Sequence, residues 1–284
     1  MIAIERRDLF NATVRPLLLK RYSEVSEFFD GFAAVKSKGK WGFVDESGKE
    51  ICNPRYFQVD HFVNGHARVR QSFFGNTWTF IDTFGKEIAL PKYEEVENFD
   101  SEGFARVKFR GKWGFINSIG VEICVPKYAD AHDFFNGYAG VKFFKKWGFI
   151  NTQGDAICEM KYDFVWNFVN GYAMVMKNGL YGFIDKSGKE ICEIKYDRVN
   201  YFRNDYAVVM KGDNWGAIDS EGKEVCELRY QFVYDFEDGF FVVRDEDQYG
   251  SIDGEGKEIY PAVYSDFTEV KNLTLKKLYG RKIS

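Results

Sequence analysis

One spacing constrains this chain more than any other feature. Tyr22, Tyr56, Tyr93, Tyr128, Tyr162, Tyr196, Tyr230 and Tyr264 lie 34, 37, 35, 34, 34, 34 and 34 residues apart. A period near 34 means one supersecondary unit used repeatedly, each copy too small to bury its own faces and stable only against its neighbours. Between tyrosines a unit reads Tyr-x-x-Val, a Phe, usually a Gly, Ala-x-Val, a spacer, Trp-Gly-Phe-Ile-Asp, two residues, Gly-Lys-Glu-Ile-Cys and a basic residue. Alternating apolar runs such as Tyr172-Ala173-Met174-Val175 and Tyr181-Gly182-Phe183-Ile184 predict strands. Asn178-Gly179 predicts a type I′ hairpin, and Asp185-Lys186-Ser187-Gly188 a type I turn. Each unit is therefore expected to be a meander of about three antiparallel strands, with no helix anywhere.

The expected fold is all-β, with tandem ~34-residue meanders forming an open solenoid or superhelix. A closed β-propeller-like array is the alternative, and three strands per unit is thin for its four-stranded blades. Seven complete repeats span residues 22–263, with partial repeats at 1–21 and 264–284. At the first end Leu17, Leu18 and Leu19 align with Ile51 and Cys52 as a last strand. At the other, Leu278-Tyr279-Gly280 echoes the Trp-Gly step.

The unit resembles the WG-repeat family, a bacterial β-rich repeat also described through its Lys-Trp-Gly motif. The matching residues are Lys40-Trp41-Gly42-Phe43-Val44-Asp45, Trp113-Gly114-Phe115-Ile116-Asn117, Lys146-Trp147-Gly148-Phe149-Ile150-Asn151 and Trp215-Gly216-Ala217-Ile218-Asp219. Tyr181-Gly182 and Tyr249-Gly250 are variants, and Trp78-Thr79 departs furthest, which implies different local packing in repeat two. The resemblance implies an interaction module and carries no catalytic residue set.

The columns themselves favour structure over chemistry. The bare glycine of Trp-Gly is expected to receive an aromatic ring from the neighbouring unit. Cys52, Cys124, Cys158, Cys192 and Cys226 share one column, where Ala89 and Tyr260 also occur, and read as buried reduced thiols. No Cys-x-x-Cys pair offers the close ligands of a zinc site. Asp45, Asp82, Asp185, Asp219 and Asp253 alternate with Asn117 and Asn151, an exchange that suits a turn acceptor and not a general acid. The Glu column (Glu50, Glu87, Glu122, Glu190, Glu224, Glu258) and the basic column (Arg55, Lys92, Lys127, Lys161, Lys195, Arg229) are expected to pair across strands. His61, His66 and His132 occupy unrelated phases, and no nucleophile is framed by a base. We therefore expect no enzyme, cofactor or metal.

A partner must be read by positions that vary between repeats. The column after Tyr-x-x-Val holds Ser26, Asp60, Glu97, His132, Trp166, Asn200 and Tyr234, and Trp166 with its flanking His132 and Tyr234 is one candidate surface. The hairpin tips of repeats two to four, with Phe73, Phe74, Phe109, Phe143 and Phe144, are the second. The expected function is a non-catalytic scaffold for a protein or peptide, with carbohydrate or small-ligand binding along the tryptophans as the alternative. A net charge of -4 argues against nucleic acid and anionic membranes. No run reaches the roughly 20 apolar residues of a membrane span, and Glu5, Arg6, Arg7 and Asp8 interrupt any leader-like start, so a cytoplasmic location is expected.

Overall fold

The structure, a computed structural model, describes residues 10–72 and 77–280. It is all-β through the repeats: seven antiparallel sheets in tandem, none closed into a barrel. The chain packs as two compact units, one of residues 1–144 with 150–155 and the other of residues 145–149 with 156–284.

Repeat five shows how the sequence builds a sheet. Phe164–Val165, Tyr172–Lys177 and Leu180–Asp185 pair in order, with Ala173 opposite Ile184, Val175 opposite Gly182 and Lys177 opposite Leu180. Asn178 (φ 54°) and Gly179 (φ 79°) both take the left-handed conformation of a type I′ turn. Ala173, Val175 and Ile184 are buried on one face and Met174 and Phe183 on the other. Met174 and Phe183 pack on Ala207, Val209 and Ile218 of repeat six, and Phe202 from that repeat lies tilted against Tyr172 (4.2 Å) and edge-on to Phe183 (4.9 Å).

Four of the seven sheets carry a fourth strand, which the three-strand reading missed: Glu50–Tyr56, Glu122–Tyr128, Glu224–Tyr230 and Glu258–Tyr264. In three others the same segment keeps isolated bridges such as Tyr181 with Tyr196 and Ile184 with Glu190. This segment also corrects the Trp-Gly expectation. The register slips between Trp41–Tyr56 and Phe43–Cys52, and the bulged backbone crosses over Gly42. A β-carbon there would lie 2.5 Å from the Cys52 carbonyl oxygen and 2.6 Å from the Pro54 nitrogen. The bare position is thus filled from its own repeat and not by a neighbour's ring, by backbone at Gly42, Gly114, Gly216 and Gly250 and by the Met160 and Ile194 side chains at Gly148 and Gly182. Where Thr79 replaces the glycine, its buried hydroxyl donates to the Ala89 carbonyl at 2.6 Å.

The described residues are helical at both ends, contrary to the strand expectation. Phe10–Val14 forms a wide π-turn continued by an α-turn over Arg15–Leu18, so Leu17 and Leu18 are helical and Leu19 caps that turn. Phe10 stacks on Phe28 at 4.7 Å and Val14 lies beneath Gly48, the places a preceding repeat would fill. Phe267–Tyr279 is an α-helix capped by Asp266, whose carboxylate accepts from the Glu269 amide at 2.8 Å, and closed by Gly280 at φ 64°. Leu278-Tyr279-Gly280 is thus a helix end and not a shortened Trp-Gly step. Val270 of this helix is fully buried against Phe240 and Val242. Thr274 bonds Ser251 at 2.7 Å in the core column that holds Phe183 in repeat five, so the polar pair occurs where the repeats stop.

Candidate interaction surfaces

Successive repeats are joined by the same three devices, and these account for most of the periodic polar residues. The first is a close approach of backbones. Gly85, Gly120, Gly154, Gly188, Gly222 and Gly256, all at φ near 80°, sit on the carbonyl of Ile51, Ile88, Ile123, Ile157, Ile191 or Val225 in the repeat before, far inside the 3.0 Å a β-carbon would need. The second is the tyrosine column. Tyr93 and Lys92, where the chain leaves one sheet, meet Glu122 of the next sheet at 2.8 and 2.9 Å, and Tyr162 and Lys161 meet Glu190 at 3.0 and 2.8 Å. Tyr22 and Arg21 meet Glu50 in the same way. The charge pairs therefore run between repeats, one column linked to the next. Burial opposes ionisation of Glu122 and Glu190, yet their lysine and tyrosine donors outweigh it and hold both carboxyls below the usual range. The third is a carboxamide link from Asn64, Asn170 and Asn204 to the carbonyls of Phe99, Phe202 and Phe236 at 2.8 to 3.0 Å.

The aspartate column acts as a turn acceptor. Asp185 Oδ1 accepts from the amides of Ser187 and Lys189 at 2.8 and 3.1 Å, and Asn151 accepts from Gln153 and Asp155 at 3.0 and 2.9 Å. An oxygen acceptor is all the turn requires, which is why both residue types serve.

All five cysteines are free; Cys52, Cys124 and Cys226 are buried, and Cys158 and Cys192 are half-buried. Burial raises every one of these thiols, Cys226 to about 12. A bulky thiol reagent on the native protein should label Cys158 and Cys192 first, with Cys226 last or only after denaturation. Labelling Cys226 ahead of Cys158, read by peptide mass, would contradict this burial order.

The variable column holds one backbone position throughout. The amides of Asp60, Glu97, His132, Trp166, Asn200 and Tyr234 all donate to the facing strand, to Arg68, Arg106, Gly140, Met174, Val208 and Val242. Trp166 is half-buried among Phe164 (4.8 Å) and Tyr181 (5.6 Å). Tyr234 is half-buried and packs on Phe267 of the terminal helix at 4.7 Å. His132 is half-buried, and burial lowers its pKa. Trp166 is thus half covered within its own repeat, and Tyr234 by the terminal helix. Of the tip residues, Phe143 and Phe144 are exposed and touch at 4.7 Å. Phe109 is half-buried, with Lys92 and Arg110 near its ring. Phe73 and Phe74 lie outside the described residues. In the tryptophan row Trp147 is buried, and Lys36, Arg70 and Lys108 stand over Trp41, Trp78 and Trp113 at 5.0, 5.9 and 5.2 Å.

A more exposed apolar group lies elsewhere, in repeats two and three: Phe84 (85% exposed), Leu90 (73%), Ile119 (72%), Val125 (60%) and Val121 (53%). Phe84 and Ile119 occupy the turn position that is Ser47, Gln153, Ser187, Glu221 or Glu255 in the other repeats. Leu90 and Val125 stand where others have Asn53, Glu159, Glu193, Glu227 or Pro261, and Val121 where five have lysine. Gly120 seats its turn on the Ile88 carbonyl, which brings Ile119 and Val121 to the segment that leads into Leu90. In the sequence these residues show as apolar side chains in columns that are polar in most other repeats.

A family model described as the WG-containing repeat matches residues 17–41, 41–72, 78–113, 113–146, 147–181, 181–215 and 215–249. The chain belongs to this family. The WG-repeat segments begin and end mostly at the Trp or Tyr of the Trp-Gly step, half a unit out of phase with the tyrosine column. Among curated proteins none matches. Solved structures similar to this WG-repeat chain include a eukaryotic initiation factor, 12% identical over 81% of this chain and 73% of that one, with a TM-score of 0.37. Kluyveromyces lactis Hsv2p is 10% identical over 80% and 92%, with a TM-score of 0.32. PorZ, a surface component of the type-IX secretion system of Porphyromonas gingivalis, is 8% identical over 87% and 38%, with a TM-score of 0.30.

Proposed function

We propose that this WG-repeat chain is a non-catalytic scaffold that binds a protein or peptide through the apolar rim of repeats two and three. The observation that carries the reading is the rim itself: five aliphatic or aromatic side chains more than half exposed, in columns that, Pro261 apart, are polar in the other repeats. Exposed groups of this kind, on the order of several hundred Å², are the size of surface that binding partners cover. Carbohydrate binding along the tryptophans is less favoured, because three of those rings already have a cation of their own over them. A cytoplasmic location belongs to the same proposal and is supported by five unpaired thiols.

The test is capture from cell lysate by the wild type and by a Phe84→Ser, Ile119→Ser variant. Both sites are surface turns outside the core, so the variant should melt close to the wild type. It should lose the retained protein, since apolar anchors contribute about 2 kcal/mol or more each at a hot spot. Equal retention by both proteins, or retention of an oligosaccharide alone, would remove the rim from the account.

A further inference from the structure

The chain has four Asn-Gly steps: Asn64-Gly65, Asn136-Gly137, Asn170-Gly171 and Asn178-Gly179. All four asparagines lie on exposed turns at φ between 49° and 54°. An Asn-Gly step can cyclise when the glycine amide nitrogen reaches the asparagine Cγ, and both groups must be free to do so.

In three of the steps a reacting group is tied. The Asn64 carboxamide donates to the Phe99 carbonyl at 2.8 Å, and the Gly65 amide to Asp30 at 2.8 Å. The Gly137 amide donates to Glu102 at 2.9 Å. The Asn170 carboxamide donates to the Phe202 carbonyl at 2.8 Å. At the fourth step, the hairpin tip of repeat five, the bond at this asparagine is made by the backbone amide of Asn178, to Asp163 at 2.6 Å. That bond leaves the carboxamide and the following amide out of any such link. Both residues are exposed, and the space beside Gly179 is open, as it is at Gly137 and Gly171.

We propose that Asn178 is a site of spontaneous covalent modification in the folded protein, through a succinimide formed with Gly179. The Gly179 nitrogen gives up its proton and attacks Cγ of Asn178. The N–Cγ bond forms, the Cγ–Nδ2 bond breaks, and ammonia leaves carrying that proton. Water then opens either carbonyl of the ring, giving aspartate or, with the backbone routed through the side chain, isoaspartate. Either product adds a negative charge beside Asp163. Isoaspartate also inserts a methylene into a two-residue turn that sets the pairing of Lys177 with Leu180.

The test incubates the full-length protein at 37 °C and mildly alkaline pH, then maps peptides for a gain of about one mass unit and for isoaspartate. Native protein should modify Asn178 at least about fivefold faster than Asn170, the factor that one net hydrogen bond supplies, and faster again than Asn64, where two bonds hold. In denaturant the four steps should react at similar rates. An Asn178→Asp variant should show almost no native mass gain. Equal native rates at Asn170 and Asn178, or a native Asn178 that is inert while it reacts in denaturant, would overturn the proposal.

Discussion

Gly188→Ala should destabilise the protein by about 4 kcal/mol or more, while Gly179→Ala, nine residues earlier and at nearly the same φ, should cost about 1–2 kcal/mol. The backbone strain is matched, at φ 82° and 79°. The surroundings are not. A β-carbon at position 179 points into open space, whereas at 188 it would overlap the Ile157 carbonyl of the preceding repeat and approach the Cys158 β-carbon. Backbone atoms cannot give way as a flexible side chain would, so the two repeats must separate. Denaturant titration of both variants isolates the repeat-to-repeat contact from the turn. Similar losses at the two positions would mean that the glycine column serves the turn alone.

Phe202→Ala should cost about 3–5 kcal/mol, the range for emptying a large aromatic site in a packed core. Phe202 is 1% exposed and fills the space between the sheets of repeats five and six. Because stability in such arrays is close to a sum of nearest-neighbour terms, the loss should be concentrated in those repeats. Hydrogen exchange should accelerate in the strands 172–177, 180–185 and 206–211 before it does in 240–245. Uniform acceleration across the second unit would show it to unfold as a single block.

The elements legible in the sequence were those fixed by local stereochemistry. Asn178-Gly179 and the Asp185 turn were read correctly because positive φ and a carboxylate acceptor are demanded within four residues. The tyrosine period was legible as well, although the partner of each hydroxyl was not, since Tyr162 and Glu190 lie 28 residues apart. Gly42 and Gly188 look alike in the sequence. One receives its own sheet's fourth strand and the other the neighbouring repeat's backbone, a difference that only packing creates. The terminal helix escaped because the repeat pattern was extended past Tyr264, over an Asp266-x-x-Glu269 step that is itself a helix-start signal. Exposure was not legible: Trp166 stands out in the sequence as the one tryptophan outside the Trp-Gly column, yet Phe164 and Tyr181 half cover it. Phe84 and Ile119 sit in a turn that its aspartate and glycine already explain, and their exposure emerges only from the fold.

The most direct measurement of the binding surface places a photo-reactive side chain at one turn position in four separate proteins: 84, 119, 187 and 221. The turn geometry is shared, so only the location along the array differs. Irradiation in lysate should give a common protein adduct from positions 84 and 119 and none from 187 or 221. Adducts from 187 and 221 with none from 84 and 119 would contradict the account and move recognition away from the rim of repeats two and three.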